Sequence, residues 1–142
     1  MRSLRVCVDA SLVLKLVLPE PDSQRVQDLF EEWAREGVEL LSPALLFYEV
    51  TSALVRAAVT GRIRPKMAFQ CLEFVLGLPI LLVGDPSLHR DAFSIATELG
   101  FRTAYDAHYL ALARALGCEL WTADRELKKK AGPYGESVKL PA

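Results

Sequence analysis

Asparagine is absent from the 142-residue chain, glutamine occurs three times, and arginine outnumbers lysine eleven to six. Loss of thermolabile amides is the bias of a heat-stable protein, and a GC-rich genome produces much of the same skew. Cysteine is scarce as well. Cys7, Cys71 and Cys118 are odd in number, widely spaced and never in a CxxC pair. This argues against a disulfide framework or a zinc site and predicts three buried small hydrophobes. No charge excess exists either, the formal net charge being -1. A surface coated with bases for nonspecific nucleic-acid binding is thereby disfavoured, but a local basic groove is not. Long apolar runs are missing too. A membrane span needs roughly 18 residues, and the best candidate, Leu12 to Leu18, is short and carries Lys15 in its middle. Asp9 interrupts the basic, apolar and small-residue order of a signal peptide, so a cytosolic protein is expected.

What is present is a chain with 51% hydrophobic and 25% charged residues. It is too apolar for disorder, and its length suits one compact domain over residues 1–142. Leu4 to Asp9 reads as a buried strand ending in an acid, and Ala10 to Leu18 as a helix closed by Pro19-Glu20-Pro21. Asp22 is placed to cap a helix ending at Gly37, with Val26, Leu29, Phe30 and Trp33 on one face. Val38 to Leu41 is a second strand. Ser42-Pro43 reads as the start of a helix running to Gly61, apolar almost all round except for a stripe of Glu49, Ser52, Arg56 and Thr60. Pro65 opens a helix to Gly77, Pro79 to Val83 is a strand, and Asp85-Pro86 opens a helix ending at Gly100. Ala104 to Leu116 is helical, Glu119 to Thr122 a strand, Asp124 to Ala131 a charged helix, and Ser137 to Leu140 a short edge strand. Short apolar strands alternating with helices predict an α/β fold of three layers. Its centre is a mostly parallel, twisted sheet of four to five strands with helices on both faces. Ligands bind such sheets outside the carboxyl ends of the strands.

Acids collect at that edge. Asp9 directly follows the first strand, Asp124 lies two residues past Thr122, Asp106 is in the first turn of its helix, and Glu49 lies on the polar stripe. Each has an ordinary explanation alone. Asp9 and Asp124 can cap the helices after them, Asp106 can favour a helix dipole, and Glu49 can be a solvated residue near Ser52. Several carboxylates at one edge, without nearby lysines to pair them, repel unless a hard cation binds. A divalent-metal site with oxygen ligands is the economical expectation.

Val8-Asp9-Ala10-Ser11, Glu49-Val50, Tyr105 to Ala113 and Leu120-Trp121-Thr122-Ala123-Asp124-Arg125 resemble the PIN domain, more narrowly the VapC-type toxin ribonucleases. The resemblance spans essentially the whole chain in the family's order and spacing. It implies that Asp9, Glu49, Asp106 and Asp124 hold one or two Mg²⁺ or Mn²⁺ ions, with Ser11 and Thr122 as hydroxyl support. The family's fourth acid varies most, which leaves Asp124 the least secure. The resemblance also implies an endoribonuclease, a homodimer and a small cognate antitoxin that blocks the acidic cleft. Two alternatives remain: a stand-alone PIN nuclease for RNA processing, and a catalytically silent RNA- or protein-binding module of the same fold. The intact set of acids speaks against the silent module.

The remaining charges fit an RNA substrate. Without the four acids the chain has 14 acids against 17 bases. Arg62, Arg64 and Lys66, with Arg125 and Lys128-Lys129-Lys130, are the clusters suited to phosphates. For the three lysines, a solvated helix end that favours the dipole explains the run equally well. The helix from Pro43 to Gly61 carries Leu45, Phe47, Tyr48, Leu54, Val55 and Val59, more apolar faces than one sheet covers, so it is expected at a twofold interface. Trp33 and Trp121 read as core. His108 follows Asp106 by two positions, so the two side chains diverge on a helix and do not chelate together. No GxGxxG, P-loop or HExxH motif is present. A haloacid-type phosphatase needs an aspartate where Ser11 stands.

Overall fold

The computed structural model describes residues 4–141. Five apolar runs form the strands β1 (Arg5–Val8), β2 (Glu39–Pro43), β3 (Ile80–Val83), β4 (Glu119–Trp121) and β5 (Val138–Lys139). They make one sheet in the order β3-β2-β1-β4-β5, and every pairing is parallel. The central strand β1 pairs through Cys7 with Leu41 of β2 and with Leu120 of β4. Strand alternation then divides the apolar residues between two faces. Val6, Val8 and Leu40 pack with Leu12, Val26, Trp33, Leu46 and Val50, which come from helices α1 (Ala10–Leu14), α2 (Ser23–Glu36) and α3 (Leu45–Val59), with α4 (Pro65–Leu76) beyond. Cys7, Leu41 and Leu120 pack with Ile95, Tyr109, Leu112 and Leu127 on the other face, from α5 (Pro86–Leu99), α6 (Tyr105–Leu116) and α7 (Arg125–Lys130). Each fully buried leucine contributes roughly 1.5–3 kcal/mol, so both faces hold the sheet. The three layers match the expectation from sequence.

The connection order places the site. From β1 the chain moves to β2 and then β3 on one side, whereas β4 and β5 lie on the other side of β1. The segment after β1 enters α1, against the first core, and the segment after β4 enters α7, against the second. A crevice therefore opens between the carboxyl ends of β1 and β4, where the strand order reverses. Gly117 ends α6 at φ 62°, a left-handed turn that glycine adopts without steric cost, and it delivers the chain straight into β4.

Three local expectations change. Ser42 and Pro43 are not a helix start: they extend β2, opposite Leu82 and Val83 of β3. The helix begins at Leu45 with no side-chain cap, and Ser42 is fully buried with a hydroxyl that lacks a hydrogen-bond partner. A Ser-Pro pair fits a strand end as well as a cap, because the proline lies past the last β1 pairing, where its missing N–H costs nothing. The helix expected from Ala10 to Leu18 stops at Leu14. Turns follow, and Lys15 Nζ pairs with Glu20 at 2.8 Å and Asp22 at 2.9 Å. Asp22, drawn to that lysine, makes no cap bond to α2.

Cys7, Cys71 and Cys118 are free and buried, as expected of small hydrophobes. Trp33 is 4% exposed and meets Phe30 and Trp121 edge to face, at 5.1 and 5.5 Å between ring centres, so Trp33 is core and the partly buried Trp121 packs against it.

Candidate active site

Asp9 is the N-cap of α1 and is only 5% exposed. Its Oδ1 accepts from the Leu12 amide at 3.0 Å and the Ser11 hydroxyl at 2.7 Å. The Thr122 hydroxyl donates to its Oδ2. Capping and site geometry are thus the same bonds, and neither excludes the other. Burial pushes the Asp9 carboxyl up to about 6. The hydroxyls of Thr122 and Ser11 and the Leu12 amide pull it down, and the Asp106 charge raises it further.

Ser11 and Thr122 tie the two strand ends together. Their hydroxyls lie 3.1 Å apart, the Ala123 amide donates to Ser11 Oγ at 3.0 Å, and the Asp124 amide donates to Thr122 Oγ1 at 3.0 Å. Asp124 is placed one step further out. Its Oδ1 accepts from the Glu126 and Leu127 amides at 2.9 and 3.3 Å, so it caps α7.

Glu49 sits half-buried one turn into α3. Burial raises its pKa and the Asp106 charge adds to that, while the Tyr109 hydrogen bond and the charge of His108 oppose it. Tyr109 is 1% exposed and donates its hydroxyl to Glu49 Oε1, and burial followed by that same bond pushes the phenol's pKa up. The Glu49–Tyr109 bond was missed in sequence reasoning. Its signal was there, because Tyr109 follows Asp106 by three positions and so shares its helix face.

Asp106 lies near enough for its charge to act on both Asp9 and Glu49. Asp106 is not without a lysine, however. Lys130 Nζ stands 2.8 Å from its Oδ2, a pairing between α7 and α6 that sequence spacing does not reveal. Among the described residues no three His, Cys, Asp or Glu side chains stand close enough to hold a metal ion as they are placed. The donors still fit a hard cation by their chemistry: all are carboxylate oxygens, and burial, with the Asp106 charge added, raises the pKa of Asp9 and Glu49.

The basic residues separate into distinct groups. A cavity of about 420 Å³ runs from Ser11 and Ala123 past Lys15 and Arg56 to Arg62, and Arg62 also reaches Glu20 at 3.7 Å. Arg56 was not among the expected bases, although it lies on the same polar stripe as Glu49, and Lys15 is engaged by Glu20 and Asp22. Arg125 is exposed beside Asp124, and Arg64 and Lys66 are exposed at the start of α4. Lys128 is not a free cation. Its Nζ donates to the Gly135 and Val138 carbonyls at 2.6 and 2.7 Å, bracing the turn into β5. Lys129 pairs with Glu126 at 3.5 Å.

The PIN domain family profile matches residues 6–133. Ribonuclease VapC3 of Pyrobaculum aerophilum is 34% identical over 131 residues, covering 89% of this chain and 95% of that protein. Exonuclease VapC9 of the same organism is 34% identical over 101 residues, covering 71% and 74%. Among solved structures, PAE2754 from Pyrobaculum aerophilum superposes with a TM-score of 0.72 at 28% identity, over 96% of this chain and 89% of that one. VapBC2 from Rickettsia felis, bound to a DNA fragment from its promoter, gives 0.72 at 12% identity over 96% and 98%.

Proposed function

Because the chain belongs to the PIN domain family, we propose that it is a metal-dependent endoribonuclease and the toxin of a toxin–antitoxin pair. The observation that carries this reading is the buried Asp9 carboxylate at the end of β1, held by the Ser11 hydroxyl and by Thr122 from the end of β4, with the Asp106 charge acting on it and on Glu49. Asp9, Glu49 and Asp106 would hold one or two Mg²⁺ or Mn²⁺ ions, with Asp124 at the margin. A bound ion supplies a water of lowered pKa and shields the phosphate charge. Ser11 and Thr122 orient Asp9, and Tyr109 orients Glu49, so two ligands are preset without loss of rotamer entropy at binding. Lys130 pairs with Asp106 at 2.8 Å, a contact that an ion held by Asp106 would compete with. Arg56 and Arg62 carry the RNA phosphates toward Ser11, joined by Arg125 on the other side.

Relatives support the class of reaction. A protein named ribonuclease matches nearly end to end, and the VapBC2 complex is the precedent for a partner protein. The toxin reading is preferred over a stand-alone processing nuclease on those grounds. A second reading, histidine catalysis, has one observation behind it: His89 Nδ1 and His108 Nε2 lie 2.9 Å apart. That separation is a direct hydrogen bond and leaves no room for a scissile phosphate between the rings.

The chain acts as a homodimer in the cytoplasm, with an antitoxin over the acidic cleft. No helix among the described residues is long and apolar enough to cross a membrane. Val55 and Val59 of α3 and Met67 and Phe69 of α4 are more than half exposed, and an apolar groove of about 350 Å³ runs between the two helices. Of the residues that made α3 an expected interface, Leu54 is buried, Leu45 and Phe47 are partly buried, and Val55, Val59 and Tyr48 face outward.

The test is cleavage of a mixed RNA pool. EDTA abolishes it, Mg²⁺ or Mn²⁺ restores it, and Asp9→Asn and Asp106→Asn remove it. Cleavage that persists in EDTA and in both variants overturns the proposal.

A further inference from the structure

Beside the acids, a concavity of about 350 Å³ opens at the carboxyl ends of β2 and β3, over Ala44 and Gly84. Its walls include Tyr48, Tyr105, His89 and His108. This volume lies at the lower end of small-ligand pockets, roughly 300–1,000 Å³. Tyr48 is 74% exposed and Tyr105 is 58% exposed, although neither position is needed to complete a core. Each is the chain neighbour of an acid already placed in the site, Tyr48 of Glu49 and Tyr105 of Asp106. Two uncovered aromatic rings are thus carried by the same helical turns that carry two of the carboxylates.

The histidines supply a polar edge of defined sense. His108 Nδ1 lies 2.6 Å from the Ala104 carbonyl oxygen, which only accepts, so Nδ1 carries the hydrogen. In the neutral ring Nε2 is then the acceptor, and it receives the Nδ1 hydrogen of His89 at 2.9 Å. This leaves His89 Nε2 as a lone-pair acceptor with no hydrogen-bond partner among the described residues. One backbone carbonyl in α6 therefore sets the donor–acceptor sense of a nitrogen on α5.

We infer that this concavity is a nucleobase subsite, which takes one unstacked base flanking the cut in the RNA, its face against Tyr48 and Tyr105 and an N–H of its edge on His89 Nε2. The inference rests on the ribonuclease reading and deepens it. Apolar floor, exposed rings and the His89 acceptor match a base, which has two π faces and a polar rim. They do not match a phosphate, because the subsite offers no arginine or lysine. Sequence preference in the substrate then arises here, while the carboxylates act on a phosphodiester common to all sequences.

The experiment is an abasic scan crossed with variants. A short labelled RNA is prepared intact and with one abasic residue at each position in turn. Each form is treated in Mg²⁺ with wild type, Tyr48→Ala, Tyr105→Ala, Tyr105→Phe and His89→Ala. The subsite predicts that one abasic position beside the cut lowers kcat/KM by about fivefold or more in wild type, the loss expected for one stacked base. Tyr48→Ala, Tyr105→Ala and His89→Ala each lower kcat/KM on intact RNA and show a smaller penalty at that abasic position. Tyr105→Phe keeps the wild-type pattern. Thermal melting verifies that the variants, all altered at exposed positions, remain folded. If the variants leave intact RNA unaffected, or lose equally on intact and abasic RNA, the subsite is overturned while the ribonuclease reading stands. If no RNA is cut at all, that reading fails instead. The same oligonucleotides then report Kd by fluorescence anisotropy, with the same non-additivity supporting the subsite and its absence overturning it.

Discussion

Replacing Asp9 with asparagine separates a carboxylate cluster from a plain helix cap. The folded carboxyl titrates near 6 instead of 3.8, chiefly because burial penalises its charged form. A difference of about two pH units is worth about 3 kcal/mol between the protonation states. Between those two values the folded chain binds more protons than the unfolded one, so this contribution falls as pH rises from about 4 to about 6, and is flat above. Above pH 7 the metal-free wild type therefore carries a penalty that asparagine does not. The asparagine side chain would keep the Oδ1 bonds to the Leu12 amide and Ser11 hydroxyl, while the Thr122 hydroxyl must turn to accept from the amide. Allowing for that exchange, Asp9→Asn gains about 1–3 kcal/mol in EDTA at pH 8, with roughly 2–4 °C in Tm for each kcal/mol. Asp106→Asn gains less, because Lys130 already offsets its charge. Millimolar Mg²⁺ raises the Tm of wild type by mass action and that of Asp9→Asn less. Melting in EDTA and in Mg²⁺ at pH 4, 6 and 8 supplies the comparison, read as variant minus wild type. The difference cancels acids such as Asp22, which Lys15 holds below its usual range and which favours the opposite slope. Equal melting of the two proteins at pH 8, with equal response to Mg²⁺, would mean that Asp9 is a cap only and would refute the reasoning.

Tyr109→Phe removes the donor to Glu49, so the Glu49 pKa rises further and stability falls by about 1 kcal/mol; denaturant melts and the acid limb of the pH–rate profile check both. Lys128→Ala destabilises the turn into β5 but leaves the salt dependence of RNA binding unchanged, whereas Arg125→Ala keeps stability and reduces the slope of log K against log salt by about one. Val59→Asp places a charge on the exposed face shared by α3 and α4, and light scattering at micromolar concentration should then find monomer where wild type is dimeric.

The parts of the site that follow strand ends were legible in the sequence. A short apolar run stopped by an acid announces both a strand and its edge, which is how Asp9 and the Thr122–Asp124 segment stood out. The alternation of short apolar strands with helices also gave helices on both faces of the sheet, but which helix lies on which face came only from the packing. Contacts between distant side chains were not legible. Lys130 on Asp106 depends on how α7 packs against α6, a tertiary fact with no local signature, and for Tyr109 the sequence showed only that it shares a helix face with Asp106, not that it meets Glu49. The same holds for His89 and His108, nineteen residues apart and joined only by the packing of α5 on α6. Ser42-Pro43 misled for a different reason, since turn chemistry and strand-end chemistry favour the same residues there.

The central claim, that clustered carboxylates rather than an RNA 2′-hydroxyl or a histidine pair drive the cut, is tested most directly at the product ends. An RNA with a single 2′-deoxy substitution at the cut site is treated with the protein in Mg²⁺ and in EDTA, and the new termini are identified by mass. A water nucleophile does not need the 2′-hydroxyl. Cleavage should therefore persist in Mg²⁺, yield 5′-phosphate ends and vanish in EDTA. Products ending in a 2′,3′-cyclic phosphate from the unmodified RNA, formed equally well in EDTA and lost with the 2′-deoxy substrate, would contradict it.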